Sequence, residues 1–199
     1  LFFCFFLSDN ALKCYECIQG ASGTCTETTK ECSSQDFLCG AITLTTYKGG
    51  SKDQQIKYKK CSLAAECVEG SVNFGPEKTV VLSRCCNSDL CNTETPEPKF
   101  IPNGKRCYSC EGQKCTRSLN CEGSEDYCIK SSMIVEGEMK LMKGCASKIM
   151  CWNHSSALFR NYLGSGGSCC QGDYCNSSSR TSAALLLLMV PLISLVLLY

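Results

Sequence analysis

The chain closes the same phrase twice: Cys85-Cys86-Asn87-Ser88-Asp89-Leu90-Cys91-Asn92, and again Cys169-Cys170-Gln171-Gly172-Asp173-Tyr174-Cys175-Asn176. Two adjacent cysteines, four residues and Cys-Asn recur at the end of each half. A repeat of this length implies two copies of one structural unit.

Working outward, the remaining cysteines divide evenly. The first set is Cys14, Cys17, Cys25, Cys32, Cys39, Cys61, Cys67, Cys85, Cys86 and Cys91. The second is Cys107, Cys110, Cys115, Cys121, Cys128, Cys145, Cys151, Cys169, Cys170 and Cys175. Successive intervals are 3, 8, 7, 7, 22, 6, 18, 1 and 5 in the first set and 3, 5, 6, 7, 17, 6, 18, 1 and 5 in the second. Six of the nine agree. The chain therefore reads as domain 1 over 12–92, a proline-rich linker over 93–104 holding three of the five prolines, and domain 2 over 105–176. Proline stiffens that connection and opposes helix.

With 21 cysteines in 199 residues, the composition is that of a secreted disulfide scaffold. Domains this small are marginal on apolar burial alone and need such staples. A zinc protein is disfavoured, because zinc sites usually recruit histidine and the chain has only His154. A net charge of +1 excludes nucleic acid as a default partner.

Both ends read as addresses. Residues 1–11 hold an apolar run, Leu1 to Leu7, followed by Ser8 to Ala11, and are expected to be a partial signal peptide cleaved after Ala11. The alternative is a buried N-terminal strand. Loss of Cys4 with that segment leaves 20 cysteines, an even set. Residues 177–199 combine small residues, a short polar spacer and the uncharged tail Ala183–Tyr199. They are expected to be an attachment signal for a glycosylphosphatidylinositol (GPI) anchor, with Ser177 as lipid-bearing residue and the apolar tail removed. A short transmembrane anchor is the alternative. Either places the product on the extracellular face of the plasma membrane, from which it is also shed or secreted on the inhibitor reading below.

The secondary structure reads as short strands. Ile42–Tyr47 is β-branched and aromatic, Lys48–Asp53 is a turn cluster, and Gln55–Lys59 alternates. Domain 2 repeats the hairpin with Cys128–Val135, a turn at Glu136–Glu138, and Met139–Met142. Another strand, Thr79–Ser83, precedes the first closing phrase.

At this point the chain resembles the lymphocyte-antigen-six/urokinase-receptor family. The opening motifs Leu12-Lys13-Cys14-Tyr15-Glu16-Cys17 and Lys105-Arg106-Cys107-Tyr108-Ser109-Cys110, with the two closing phrases, carry the resemblance. It implies an all-β, small disulfide-rich fold: two tandem three-finger, snake-toxin-like domains. The tandem arrangement is similar to gamma-type phospholipase inhibitors and to two-domain anchored receptors. Cysteine spacing alone does not choose among the hundreds of possible connectivities. The family pattern implies the pairs Cys14–Cys39, Cys17–Cys25, Cys32–Cys61, Cys67–Cys85 and Cys86–Cys91 in domain 1. In domain 2 it implies Cys107–Cys128, Cys110–Cys115, Cys121–Cys145, Cys151–Cys169 and Cys170–Cys175. It also implies that Asn92 and Asn176 pin the end of each domain to its first strand.

Catalytic chemistry has little support. The C-x-x-C pairs Cys14/Cys17 and Cys107/Cys110 offer a redox or zinc reading, but a structural disulfide role accounts for them. His154 sits in Asn153-His154-Ser155, a glycosylation sequon on which Asn153 is expected to carry glycan. Asn176-Ser177-Ser178 is a second sequon whose asparagine is expected to be structural. No catalytic residue, metal or cofactor is assigned. The first-domain hairpin sets Lys48, Lys52, Lys57, Lys59 and Lys60 against Asp53 alone, though the domain as a whole balances nine basic with nine acidic residues. That patch is a solvated face or a contact for an acidic partner or glycosaminoglycan. The expected function is an anchored surface protein that binds an extracellular protein ligand through its finger loops. A secreted gamma-type phospholipase inhibitor is the alternative, and a structural adhesion module a third class.

Overall fold

The computed structural model describes residues 11–18, 25–135, 137–152 and 165–177. Domain 1 consists of three antiparallel hairpins. The first pairs β1 (Lys13–Ile18) with β2 (Thr28–Glu31). The second pairs β3 (Phe37–Lys48) with β4 (Ser51–Leu63). The third pairs β5 (Gly70–Asn73) with β6 (Glu77–Cys86). Domain 2 has a separate hairpin of β7 (Pro102–Glu111) and β8 (Lys114–Glu122). It continues with β9 (Tyr127–Val135), β10 (Glu138–Ala146), one helical turn α1 (Lys148–Trp152), and β11 (Ser165–Cys170).

The turn of the second finger is tighter than the sequence suggests. Lys48–Asp53 reads as one loop, yet strand continues to Lys48 and resumes at Ser51. Only Gly49 and Gly50 turn, with φ of 58° and 82°. Two successive positive-φ residues are what a two-residue hairpin with the right twist demands, and glycine meets that demand without steric cost.

The two domains share one sheet. Its nine strands run β11-β9-β10-β5-β6-β3-β4-β1-β2. The join is β10 against β5, with Cys145 opposite Asn73 and Ala146 opposite Val72. Past the ladder, Ser147 N–H donates to the Ser71 carbonyl at 2.9 Å, and Ser71 N–H donates to Ser147 Oγ at 3.0 Å. One apolar core lies beneath: Ile42, Val72, Phe74 and Val81 from domain 1 meet Ile129, Ala146, Met150 and Cys151 from domain 2. Neither domain alone covers that surface, so its burial couples them.

Polar groups are buried at the same seam. Glu125 is fully buried, and its carboxylate accepts from Ser71 Oγ at 2.8 Å, Asn73 Nδ2 at 3.5 Å and the Glu122 N–H at 3.0 Å. The Lys78 ammonium of domain 1 lies 3.6 Å from it and also pairs with Glu122. A buried carboxylate needs such partners to stay folded inside.

The segment between the domains is laid along this seam. Its Pro102, which the sequence reading leaves in the linker, already belongs to β7. Glu97 pairs with Lys57 and accepts from Gln55 Nε2 at 3.1 Å. Phe100 meets Tyr47 edge-on with centroids 5.2 Å apart, and Lys78 Nζ sits 3.9 Å over the Phe100 ring. On the other side the Gly123 N–H of domain 2 donates to the Ile101 carbonyl at 2.9 Å, so the segment is a strap fastened to both domains as well as a connection.

The join also demands glycine. A Cβ on Gly144 would collide with the Asn73 carbonyl across the seam. Gly144→Ala is expected to cost about 1–3 kcal/mol, the usual scale of overpacking. Calorimetry should show a single transition for the native chain and a lower midpoint for the variant. An unchanged midpoint would mean that the domains are not joined in this register.

Candidate interaction surfaces and the base that carries them

The base of each domain is a stack of cystines. All twenty cysteines of the two sets are bonded. In domain 1 the pairs are Cys14–Cys39, Cys17–Cys25, Cys32–Cys61, Cys67–Cys85 and Cys86–Cys91. In domain 2 they are Cys107–Cys128, Cys110–Cys115, Cys121–Cys145, Cys151–Cys169 and Cys170–Cys175. Sγ atoms of Cys14, Cys32 and Cys61 gather within 4.8 Å, as do those of Cys107, Cys121 and Cys145. Every one of these sulfurs is spent in a disulfide, so the two triplets are packed cystines rather than thiolate ligands.

Each closing asparagine ties the end of its domain to its strands, Asn92 to two and Asn176 to three. Asn92 Oδ1 accepts from Tyr15 N–H at 3.0 Å, while its Nδ2 donates to the carbonyls of Tyr15 at 2.9 Å and Gly40 at 3.0 Å. Asn176 repeats this with Tyr108 N–H at 2.9 Å and the carbonyls of Tyr108 at 2.9 Å, Ile129 at 3.0 Å and Gly144 at 3.4 Å. A side-chain amide serves because it donates and accepts at once, pairing with a backbone as another backbone would.

Sequence reasoning missed a second pin. Asp89 Oδ1 accepts the Lys13 N–H at 2.9 Å, and Asp173 Oδ1 accepts the Arg106 N–H at 3.0 Å. The residues that follow, Leu90 and Tyr174, adopt φ of 55° and 57° and donate their N–H groups to the Lys13 and Arg106 carbonyls at 2.7 and 2.9 Å. The signal was present, since both closing phrases read Cys-Cys-x-x-Asp-x-Cys-Asn.

With the base fixed, the hairpins project beyond it. The lysines of the first-domain second finger are balanced by acids from elsewhere. Lys57 pairs with Glu97 of the strap, Lys59 with Glu27 of the first finger, and Lys60 with Glu66 at 2.6 Å. Lys48 meets Asp53 at 3.7 Å, and Lys52 donates to Gln55 Oε1 at 3.4 Å. The basic patch seen in the sequence is thus internally neutralised along most of its length. The Lys57 hydrogen bond holds the Glu97 carboxyl below its usual range. Burial and the neighbouring Glu97 charge push the Tyr47 hydroxyl up. Burial would raise Glu66, but the Lys60 ammonium and the Leu63 N–H outweigh it and hold it low.

Apolar side chains are exposed at the second finger of domain 2. Ile134 and Met139 are each 75% exposed and Leu141 is 40% exposed. Of the other residues singled out in the sequence, Ser177 is exposed just past the Asn176 pin. Asn153, His154, residues 1–10 of the expected signal peptide (1–11) and residues 178–199 of the expected anchor signal lie outside the described residues. No helix among the described residues is long and apolar enough to cross a membrane.

Two family descriptions match this architecture, one per domain. Residues 10–94 match the u-PAR/Ly-6 domain, and residues 106–176 match the snake toxin and toxin-like protein family. The chain is therefore a tandem three-finger protein, with one domain matching each of these families. It is 29% identical over 148 residues to the urokinase plasminogen activator surface receptor of Mus musculus, covering 68% of this chain and 45% of the receptor. The Bos taurus receptor is 27% identical over 164 residues, covering 76% of this chain and 49% of that one. The chain thus spans about half the length of these relatives. The phospholipase A2 inhibitor CNF of Crotalus durissus terrificus is 29% identical over 184 residues, covering 82% of this chain and 89% of the inhibitor.

Two outcomes follow from the base and the strap. Asn176→Ala is expected to cost about 2–4 kcal/mol in urea denaturation, because buried backbone groups then lack partners at roughly 1–3 kcal/mol each. Asn176 is expected to carry no glycan, because its Nδ2 is occupied and the residue is 4% exposed. Peptide mapping after enzymatic deglycosylation in heavy-oxygen water should label Asn153 and leave Asn176 unlabelled. For the strap, a carboxyl held low in the fold contributes stability above its unfolded value and loses it as pH falls through the folded one. Acidification through and below the ordinary glutamate range should therefore lower the hydrogen-exchange protection factors in 93–101, relative to the intrinsic rate at each pH, by an effect well under ~1 kcal/mol for so exposed a pair. Glu97→Gln should abolish that pH dependence, and a variant that keeps it would remove Glu97 as its source.

Proposed function

We propose that this protein is a GPI-anchored cell-surface protein that binds an extracellular protein ligand with its finger loops, and that it acts by binding and not by catalysis. The observation that carries the reading is the single sheet running through both domains over one shared core, with hairpin tips standing clear of it. Cystines and asparagine pins hold the hairpins at their bases, so little backbone freedom remains to be lost when a partner docks. The likeness to proteins named surface receptors supports a receptor role. The composition of 177–199 supports lipid attachment at Ser177.

A second reading is a secreted phospholipase inhibitor. It is favoured by the match to the Crotalus inhibitor, which extends over 89% of that protein where the receptors are matched over about half.

Treatment of expressing cells with phosphatidylinositol-specific phospholipase C is expected to release the protein into the medium, and Ser177→Pro to reduce its surface display. Retention on the cells after treatment would refute the anchored reading. Inhibition of a secreted phospholipase A2 by the purified protein at stoichiometric concentration would replace it with the second.

A further inference from the structure

The second finger of domain 2 has two faces, fixed by its register. Ile134 lies opposite Met139, Ser132 opposite Leu141, and Lys130 opposite Lys143. Directly paired residues share a face of the sheet, as do alternate residues along a strand. One face therefore reads, from tip to base, Ile134 and Met139, then Ser132 and Leu141, then Lys130 and Lys143. The other carries Ile129 and Met142 into the shared core.

The lysine pair is unusual. Like charges directly opposite on neighbouring strands repel. Lys143 is 4% exposed, and burial together with the Lys130 charge holds its ammonium below the ordinary lysine range. Among the described residues no carboxylate pairs with either ammonium, and the only acidic residues outside the described ones are Asp9 and Glu136. The matching finger of domain 1 treats its lysines otherwise, drawing Glu27, Glu66 and Glu97 onto them. Two lysines kept together without such acids, next to three exposed apolar side chains, are complementary to an anion attached to an apolar group.

We propose that this face, formed by Lys130, Ile134, Met139 and Leu141 with the buried Lys143 beside Lys130, is a docking site for an extended acidic segment of an extracellular protein. Such a segment would place apolar side chains on the tip and a carboxylate against Lys130 about 13 Å down the strand, four residues at the usual rise. The placement favours a polypeptide over an anionic bilayer. Asn176, which precedes the expected anchor residue, is bonded to Ile129 at the base, so Ile134 lies about 17 Å along the strand from the membrane attachment. A shielded pair of ammonium groups also selects one placed carboxylate over a diffuse negative surface. The inference rests on the ligand-binding reading above and names where and what that reading would bind.

The test uses the whole oxidised protein from a secretory host and a fluorescent probe peptide. The probe alternates serine with two leucines and then two glutamates, so that its apolar and acidic side chains share one face. Anisotropy titration is expected to show saturable binding that weakens at least tenfold in Lys130→Gln and in the Ile134→Ser, Met139→Ser double variant. Lys140→Gln, on the opposite face and exposed, should bind as the native protein does. A scrambled probe, or one with lysine for glutamate, should not bind. Absence of probe binding, equal weakening by Lys140→Gln, or binding to phosphatidylserine vesicles in place of the peptide would overturn the proposal. Lys130→Gln and the tip variants change solvent-accessible side chains, and a native calorimetric midpoint confirms their fold. If the protein keeps a cell-surface ligand that the tip variants do not weaken, this site fails while the receptor reading stands. Retention on the cells after phospholipase C treatment fails the anchored reading by itself.

Discussion

The structure depends on the knot at the base of each domain, where stacked cystines and one asparagine amide hold three hairpins and the chain end together. Cys14, Cys32 and Cys39 are buried to 3% exposure or less, and Cys107, Cys121, Cys128 and Cys145 to 2% or less. These sulfurs form the interior of each base, where a larger domain would place aliphatic side chains. A cross-linked interior restricts the unfolded chain, which compensates for the little apolar surface so small a domain can bury. It leaves the fingers free of packing duties along their outer lengths, so their sequences are able to vary without loss of the fold.

Two such domains need not have been rigidly joined, and here they are. Edge strands seek partners, because their backbone donors and acceptors are unpaired on one side. The β5 edge of domain 1 and the β10 edge of domain 2 satisfy each other for two residue pairs, after which Ser71 and Ser147 continue the exchange. The buried Glu125 then fixes the relative setting. Its acceptors are filled by Ser71 and Asn73 from the partner domain, and Lys78 brings the compensating charge. Any shift of one domain along the other would strand that carboxylate without partners. The lock is polar and directional, whereas the apolar core beneath it would tolerate sliding.

This division also explains what was legible in the sequence. The closing phrases and cysteine intervals announced two copies of one disulfide-rich unit, because disulfide geometry imposes spacing on the chain. The alternation of Gln55 to Lys59 announced a hairpin, although the fold leaves both of its faces half-buried. Asp89 and Asp173 were readable in the same repeat and were overlooked beside the asparagines. The seam was not readable. Ser71, Asn73 and Glu125 look like ordinary surface residues until β5 meets β10, and their partners lie 52 to 76 residues away. The same distance hid the acids that neutralise the first-domain lysines, since Lys59 and Glu27, or Lys57 and Glu97, share no local pattern.

That last failure separates the two copies. Counting charges along a hairpin singled out the second finger of domain 1, where five lysines follow one another with one aspartate among them. Folding brings its counter-charges home and spends most of that potential within the molecule. The second finger of domain 2 has fewer lysines and drew no notice, yet folding sets Lys130 against Lys143 and supplies no carboxylate from the described residues. A charge available to a partner is the one the fold leaves uncompensated, whatever its density in the sequence. Duplication supplied two equivalent hairpins. The placement of acids in the rest of the chain has made one of them a supporting wall and left the other, among the described residues, with an uncompensated lysine pair.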